Sequence, residues 1–244
     1  MREAEPDTFP ETADIETSSD SYAGRFTGAV GHWFLEVQAE LTRSLLPPPP
    51  LSLLDVGGGH GQLAGPLCEA GYRLTVVGSS ERCRNRIAPL IKAGQCQFMV
   101  GNLIALPFDA NHFDGVLSFR LLSHCERWPK LIQELCRVSR GAVIVDYPAV
   151  QGLNRLAPAL FDAKKKLEKN TRTWRNFQHS EIDQTFAEAG YRVTARQPQY
   201  ALPMVLHRAM RCRRVSSVLE GALRGIGLTQ RIGSPVIVKA EPTP

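Results

Sequence analysis

The 244-residue chain has no run of roughly 18 or more apolar residues, so no membrane-spanning helix is expected. Its first twenty residues carry neither an apolar stretch nor a basic leader region, and they do not read as a secretory signal. The six cysteines, Cys68, Cys83, Cys96, Cys125, Cys136 and Cys212, are scattered, with no CxxC pair and no His/Cys ligand spacing. They read as reduced thiols of a cytoplasmic protein, not as a disulfide framework or a metal site. No internal repeat is visible, which sets aside solenoids and propellers.

Charge is unevenly spread. Residues 1–20 hold seven acids and one base, and residues 151–244 hold sixteen Lys/Arg against seven Asp/Glu. The acidic head reads as a disordered tail over 1–20. The basic C-terminal part reads as a solvated surface, or as one that attracts an anionic substrate, a membrane or nucleic acid.

Periodicity divides the rest. A helix over 21–46 carries Phe26, Val30, Trp33, Phe34, Val37 and Leu41 at three-to-four spacing, and it is expected to act as a lid. Four prolines at 47–50 stop it and form a stiff linker. From residue 51 strands and helices alternate, with strands at 52–56, 73–77, 97–100, 115–119 and 142–146. Helices fall at 61–70, 82–92 and 128–138. Two more strands, at 191–195 and 234–239, follow helices at 153–169 and 180–189, and 205–228 is mostly helical. This predicts an α/β fold, a doubly wound, mostly parallel sheet with helices on both faces, filling 51–244. The segments 150–178 and 203–231 read as substrate-side inserts.

The most informative stretch is LLDVGGGHGQ at 53–62. Apolar residues run into Asp55, then Gly57, Gly58, Gly59 and Gly61 make a turn that backbone can bring close to a ligand. Strand, glycine turn, helix is a nucleotide-binding opening. The dinucleotide fingerprint needs glycines at its first, third and sixth positions; counted from Gly57 the sixth is Gln62.

The turn instead resembles motif I of the class I S-adenosylmethionine-dependent methyltransferases, and four further segments match that family in order. VGNLIALPF at 100–108 is similar to its segment after strand three, and NHFD at 111–114 to its entry into strand four. FRLLSH at 119–124 resembles its cofactor-facing stretch, and LIQELCRV at 131–138 its helix before strand five. The resemblance implies a Rossmann-like seven-stranded fold, S-adenosyl-L-methionine as cofactor and methyl transfer to a small-molecule acceptor. By the same resemblance Asp55, Gly57, Gly58, Gly59, Gly61, Gly78, Ser79, Asn102, Leu103 and Phe119 would line the cofactor. Gly78 departs from the pattern: it stands where the family carries an acid that grips the ribose, leaving Ser79, Ser80 or Glu81 as substitutes.

The loop after strand four opens toward the cofactor, which makes His124 the candidate general base, with loop ordering as the other reading. His179 and Tyr147 are lesser candidates; a turn role and core packing compete with them. The acceptor is expected to be a lipophilic or aromatic metabolite methylated on oxygen or carbon. The arginine-rich 205–228 could make peripheral contact with the inner face of an anionic membrane, or pack on its own domain. A methyltransferase-fold protein without catalysis is the alternative, prompted by Gly78 and Asn102. A nucleic-acid methyltransferase lacks support, because FRLL at 119–122 and DYP at 146–148 are not its motif.

Overall fold

A computed structural model describes residues 9–150 and 174–244 of the chain. Seven strands form one sheet: β1 (Ser52–Val56), β2 (Arg73–Gly78), β3 (Cys96–Val100), β4 (Phe113–Ser118), β5 (Ser139–Tyr147), β6 (Tyr191–Pro198) and β7 (Val236–Pro242). Their order is β3-β2-β1-β4-β5-β7-β6. The first five run parallel, and β7 enters antiparallel between β5 and β6. This is the expected Rossmann-like, mostly parallel α/β architecture.

The period of two along each strand sends alternate side chains to opposite faces. Leu54, Val56, Val116, Val143 and Val145 pack on one face with the helices α6 (Trp128–Val138) and α7 (His179–Glu188). Leu53, Leu117, Ile144 and Ile237 pack on the other, against α3 (Gly28–Leu45) and α4 (Ala64–Glu69). Both faces are covered, which is why the central strands read as unbroken apolar runs.

Several boundaries differ from the sequence reading. The helix expected from 61 starts at Ala64, because Gly58–His60 form a 3-10 turn and Gly61 sits at φ +70. The expected helix at 82–92 is a 3-10 turn, Glu81–Ile87, followed by α5 (Ala88–Lys92). Pro89 is tolerated only in the first turn of a helix, so α5 begins beside it. The single helix expected at 205–228 is three: α8 (Met204–Met210), α9 (Arg213–Gly225) and α10 (Leu228–Ile232). The expected helix at 153–169 lies outside the described residues.

Two placements change the expected domain picture. Helix α3, read as a lid, is built into the core. Ala39, Leu45 and Leu46 lie on the sheet, and Trp33 and Phe34 pack on Tyr200. The acidic head, read as a disordered tail, contains from residue 9 onward two short helices, α1 (Ala13–Thr17) and α2 (Asp20–Ala23). What docks α1 is a buried carboxylate, Asp14, rather than a periodic apolar stripe.

Candidate functional site

The C-terminal ends of β1, β2 and β4 meet at one edge of the sheet, where parallel strands deliver their loops. After β1 the backbone turns sharply. Gly57 has φ +75 and donates its N–H to Val77 O at 2.8 Å, and Gly61 closes the turn with φ +70. L side chains are strained in this left-handed region.

Asp55 lies beneath this turn. Its carboxylate is fully buried, and a side chain on Gly58 would overlap it. Among the described residues neither carboxylate oxygen has a hydrogen-bond partner, and burial pushes its pKa up to about 7. An unpaired buried carboxylate is costly unless a cation or donor reaches it. His60 is also buried; its Nδ1 accepts from Gln62 N–H at 3.1 Å. Burial, reinforced by the charge of Arg120, depresses its pKa to about 3 and keeps the ring neutral.

The end of β2 explains the missing acid. A Cβ on Gly78 would lie 2.6 Å from Cys83 Cβ, so no side chain fits there. A carboxylate arrives from elsewhere in the chain. Asp14 accepts hydrogen bonds from Ser79 N–H at 2.7 Å, Ser79 Oγ at 2.5 Å and Cys83 Sγ at 3.2 Å. Burial raises the Asp14 pKa against the opposing pull of these hydrogen bonds. One turn on, Ser18 Oγ lies 2.6 Å from where a Cβ on Gly59 would stand. Residues 14 and 18 therefore cover the glycine turn.

Asp55, Gly57, Gly58, Gly59, Gly61, Gly78 and Ser79 come together at this edge. Asn102 and Leu103 follow β3 beside it, where Gly101 N–H bonds Gly78 O at 3.0 Å. Asn102 Oδ1 accepts from Ile104 N–H at 3.1 Å, a local turn contact, and the Leu103 side chain points into the core. Phe119 is likewise fully buried, on the α3/α4 face. His124 ends a 3-10 turn, Leu122–His124, half-buried with its ring edge-on to Trp174 at 5.1 Å. Tyr147 is a core residue; its hydroxyl meets His179 Nδ1 at 2.7 Å, and Arg196 bridges Tyr147 to Asp183. Among the described residues no group of three His, Cys, Asp or Glu side chains is placed to hold a metal ion.

Sequence reasoning missed Asp14, because a single acid in an acidic stretch carries no signal. It also missed Arg120. This residue has φ +56, and its backbone N–H donates to Asp146 Oδ1 at 2.6 Å. Its guanidinium donates to Gln62 Oε1 at 2.7 Å and Gln38 Oε1 at 2.5 Å.

Residues 54–145 match the methyltransferase domain family. Over 98 residues the chain is 33% identical to an uncharacterized methyltransferase of Mycobacterium avium, covering 39% of each chain. Over 110 residues it is 32% identical to 24-methylenesterol C-methyltransferase 2 of Arabidopsis thaliana, covering 41% of this chain and 29% of that one. The chain thus spans about two fifths of the length of the mycobacterial relative. The fold is similar to magnesium protoporphyrin IX methyltransferase from Synechocystis, solved with bound SAH, at a TM-score of 0.57 and 16% identity. That match covers 94% of this chain and 86% of the other.

Proposed function

We propose that the protein transfers a methyl group from S-adenosyl-L-methionine to a small-molecule acceptor, a reading supported by the match of residues 54–145 to the methyltransferase domain family and by the sheet order. The observation that carries this reading is the unpaired, buried Asp55 carboxylate under a turn whose glycines leave room only for backbone. A cationic ligand lying on the turn would relieve that carboxylate electrostatically.

The residues fit such a ligand. Gly57, Gly58, Gly59 and Gly61 would hold its amino-acid and ribose portions by close backbone approach. The N–H and hydroxyl of Ser79 would serve the ribose oxygens once Asp14 leaves them, and the Asn102 amide would meet the adenine edge. The bound cofactor supplies an electrophilic methyl group, so activation is largely its own. The chain's part is to orient the acceptor and exclude water. His124 would take a proton where the acceptor is a hydroxyl or phenol. Neutral His60, buried inside the turn with its Nδ1 held by Gln62 N–H, would serve as a spacer and not as a base.

The acceptor is proposed as a lipophilic or aromatic metabolite. Helices α8 and α9 expose Val205, Leu206, Val215, Val218 and Leu219 among Arg211, Arg213 and Arg214. That pattern suits peripheral contact with an anionic membrane, from which such an acceptor would be drawn. Failure of anionic vesicles to retain the protein at low salt would remove this part of the reading. A second reading, a binding protein without catalysis, is favoured by one observation: Asp14 already occupies the donors of Ser79.

Titration calorimetry with S-adenosyl-L-methionine decides between them. Micromolar binding that Asp55→Ala abolishes supports the enzyme. A folded wild-type chain that takes up no cofactor supports the second reading.

A further inference from the structure

The Phe26 ring carries two arginines. The Arg120 guanidinium carbon lies 4.3 Å from its centroid and that of Arg208 lies 5.9 Å from it. Arg208 also lies 5.6 Å from the Phe34 centroid. A third arginine, Arg25, sits 5.0 Å from the ring centroid of Tyr22, whose ring packs on Phe26 at 5.8 Å. Aromatic faces attract cations, but the attraction is weak and leaves the charge uncompensated.

Among the described residues no carboxylate forms an ion pair with any of these three guanidinium groups, although the charge of the buried Asp146 carboxylate is felt by Arg120. The Arg120 hydrogen bonds go to two neutral amide oxygens, those of Gln62 and Gln38. The Asp146 carboxylate is engaged by the Arg120 backbone N–H. Partial burial, then the charges of Arg120 and Arg25, holds the Arg208 pKa below the usual arginine value, so both neighbours repel the Arg208 cation.

Arg120 is also held in place. It is a non-glycine residue at φ +56 two positions past β4, fixed at its N–H by Asp146 and at its head by two glutamines. A strained backbone that its surroundings over-determine marks a residue kept for its position. One of those glutamines, Gln62, follows Gly61 of the glycine turn, so the Arg120 head stands beside the candidate cofactor site.

We propose that Arg25, Arg120 and Arg208 form an oxyanion-binding site for a carboxylate or phosphate group on the small-molecule acceptor. A planar guanidinium matches either group in two-point fashion. Only the word acceptor rests on the methyl-transfer reading; binding of the anion does not.

The test uses the full chain at low ionic strength and three probes of one shape: 2-naphthoate, 2-naphthyl phosphate and neutral 2-naphthamide. At least one anion is expected to bind about tenfold or more tightly than the amide, and which one does so assigns carboxylate or phosphate. Arg208→Gln and Arg25→Gln should each weaken that anion by about three- to tenfold and leave the amide unchanged. Both side chains are exposed, and an unchanged unfolding curve confirms intact variants. Equal affinity of amide and anions overturns the site, as does anion binding that both variants retain. Retention by phosphatidylglycerol vesicles that falls in Arg208→Gln, with neither naphthyl anion bound, overturns it in favour of a lipid surface. S-adenosyl-L-methionine titrated into the same samples separates the two claims. Lost cofactor binding with intact anion binding removes the methyl-transfer reading alone, and the reverse removes this one alone.

Discussion

The Asp14 carboxylate accepts from both the N–H and the hydroxyl of Ser79, at 2.7 and 2.5 Å, and is itself fully buried. Its Cβ lies 3.5 Å from where a Cβ on Gly57 would stand, so the side chain fills the space between the ends of β1 and β2. A ribose bound in that space must displace it. Asp14→Ala should therefore tighten binding of S-adenosylhomocysteine by roughly tenfold, the scale of one lost competing charge-assisted hydrogen bond. Calorimetry reads this directly. Weaker binding in the variant would instead make Asp14 a partner of the ligand.

Asp55 gives a pH signature. Its pKa is about 7 in the folded chain against 3.8 in the ordinary carboxylate. Between those values the folded state holds a proton that the unfolded state has released. Stability from this group is thus complete below about pH 4 and is lost as pH rises toward 7, by as much as about 4 kcal/mol. Asp55→Asn should unfold at higher urea than wild type at pH 8 and lose that advantage at pH 4. Parallel pH dependence of the two proteins would count against an ionising Asp55.

Gly58→Ala should cost both stability and ligand binding, because its Cβ would overlap the Asp55 carboxylate. Overpacking of this kind costs about 1–3 kcal/mol. Gly65→Ala is the control: nothing lies within 4 Å of its Cβ, and it sits in α4. Urea unfolding of the pair separates the local clash from a general loss of glycine.

Glu220 holds the C-terminal helices together. It accepts from Ala201 N–H and Leu202 N–H at 2.8 Å each and meets His207 Nε2 at 2.9 Å, and the Glu220 and His207 side chains are buried. Glu220→Ala leaves these groups without partners and should destabilise the chain by about 3 kcal/mol. Thermal unfolding checks it. A drop in melting temperature with unchanged cofactor affinity would place the effect in this layer alone.

Local pattern explains which parts were legible. The central parallel strands were readable within a few residues because both faces are buried and their apolar runs are nearly unbroken. The glycine turn was readable because positive φ demands glycine. The division of 204–232 was not, because one break falls at Arg211, at φ +53, where composition gives no warning; the other has Gly227. Burial of the acidic head turns on one carboxylate meeting Ser79, 65 positions away. Arg120 was invisible for the same reason: its backbone and side-chain partners, Asp146, Gln62 and Gln38, are all distant in sequence. The acid absent from β2 could be seen as a gap, but the Cys83 side chain that forbids it could not.

The position of β7 bears on how the chain is made. β5 and β6 lie apart in the sheet, and only β7 joins them. On the ribosome β6 is finished at Pro198, yet its sole neighbour does not begin until Val236. Until then β6 has no place to pair, and β5 presents an open edge. Such late, long-range closure is slow and leaves strand edges bare to other chains. A polypeptide released before Val236 would therefore be a sticky fragment for chaperones and proteases to clear, even though the glycine turn and all five parallel strands were already in it.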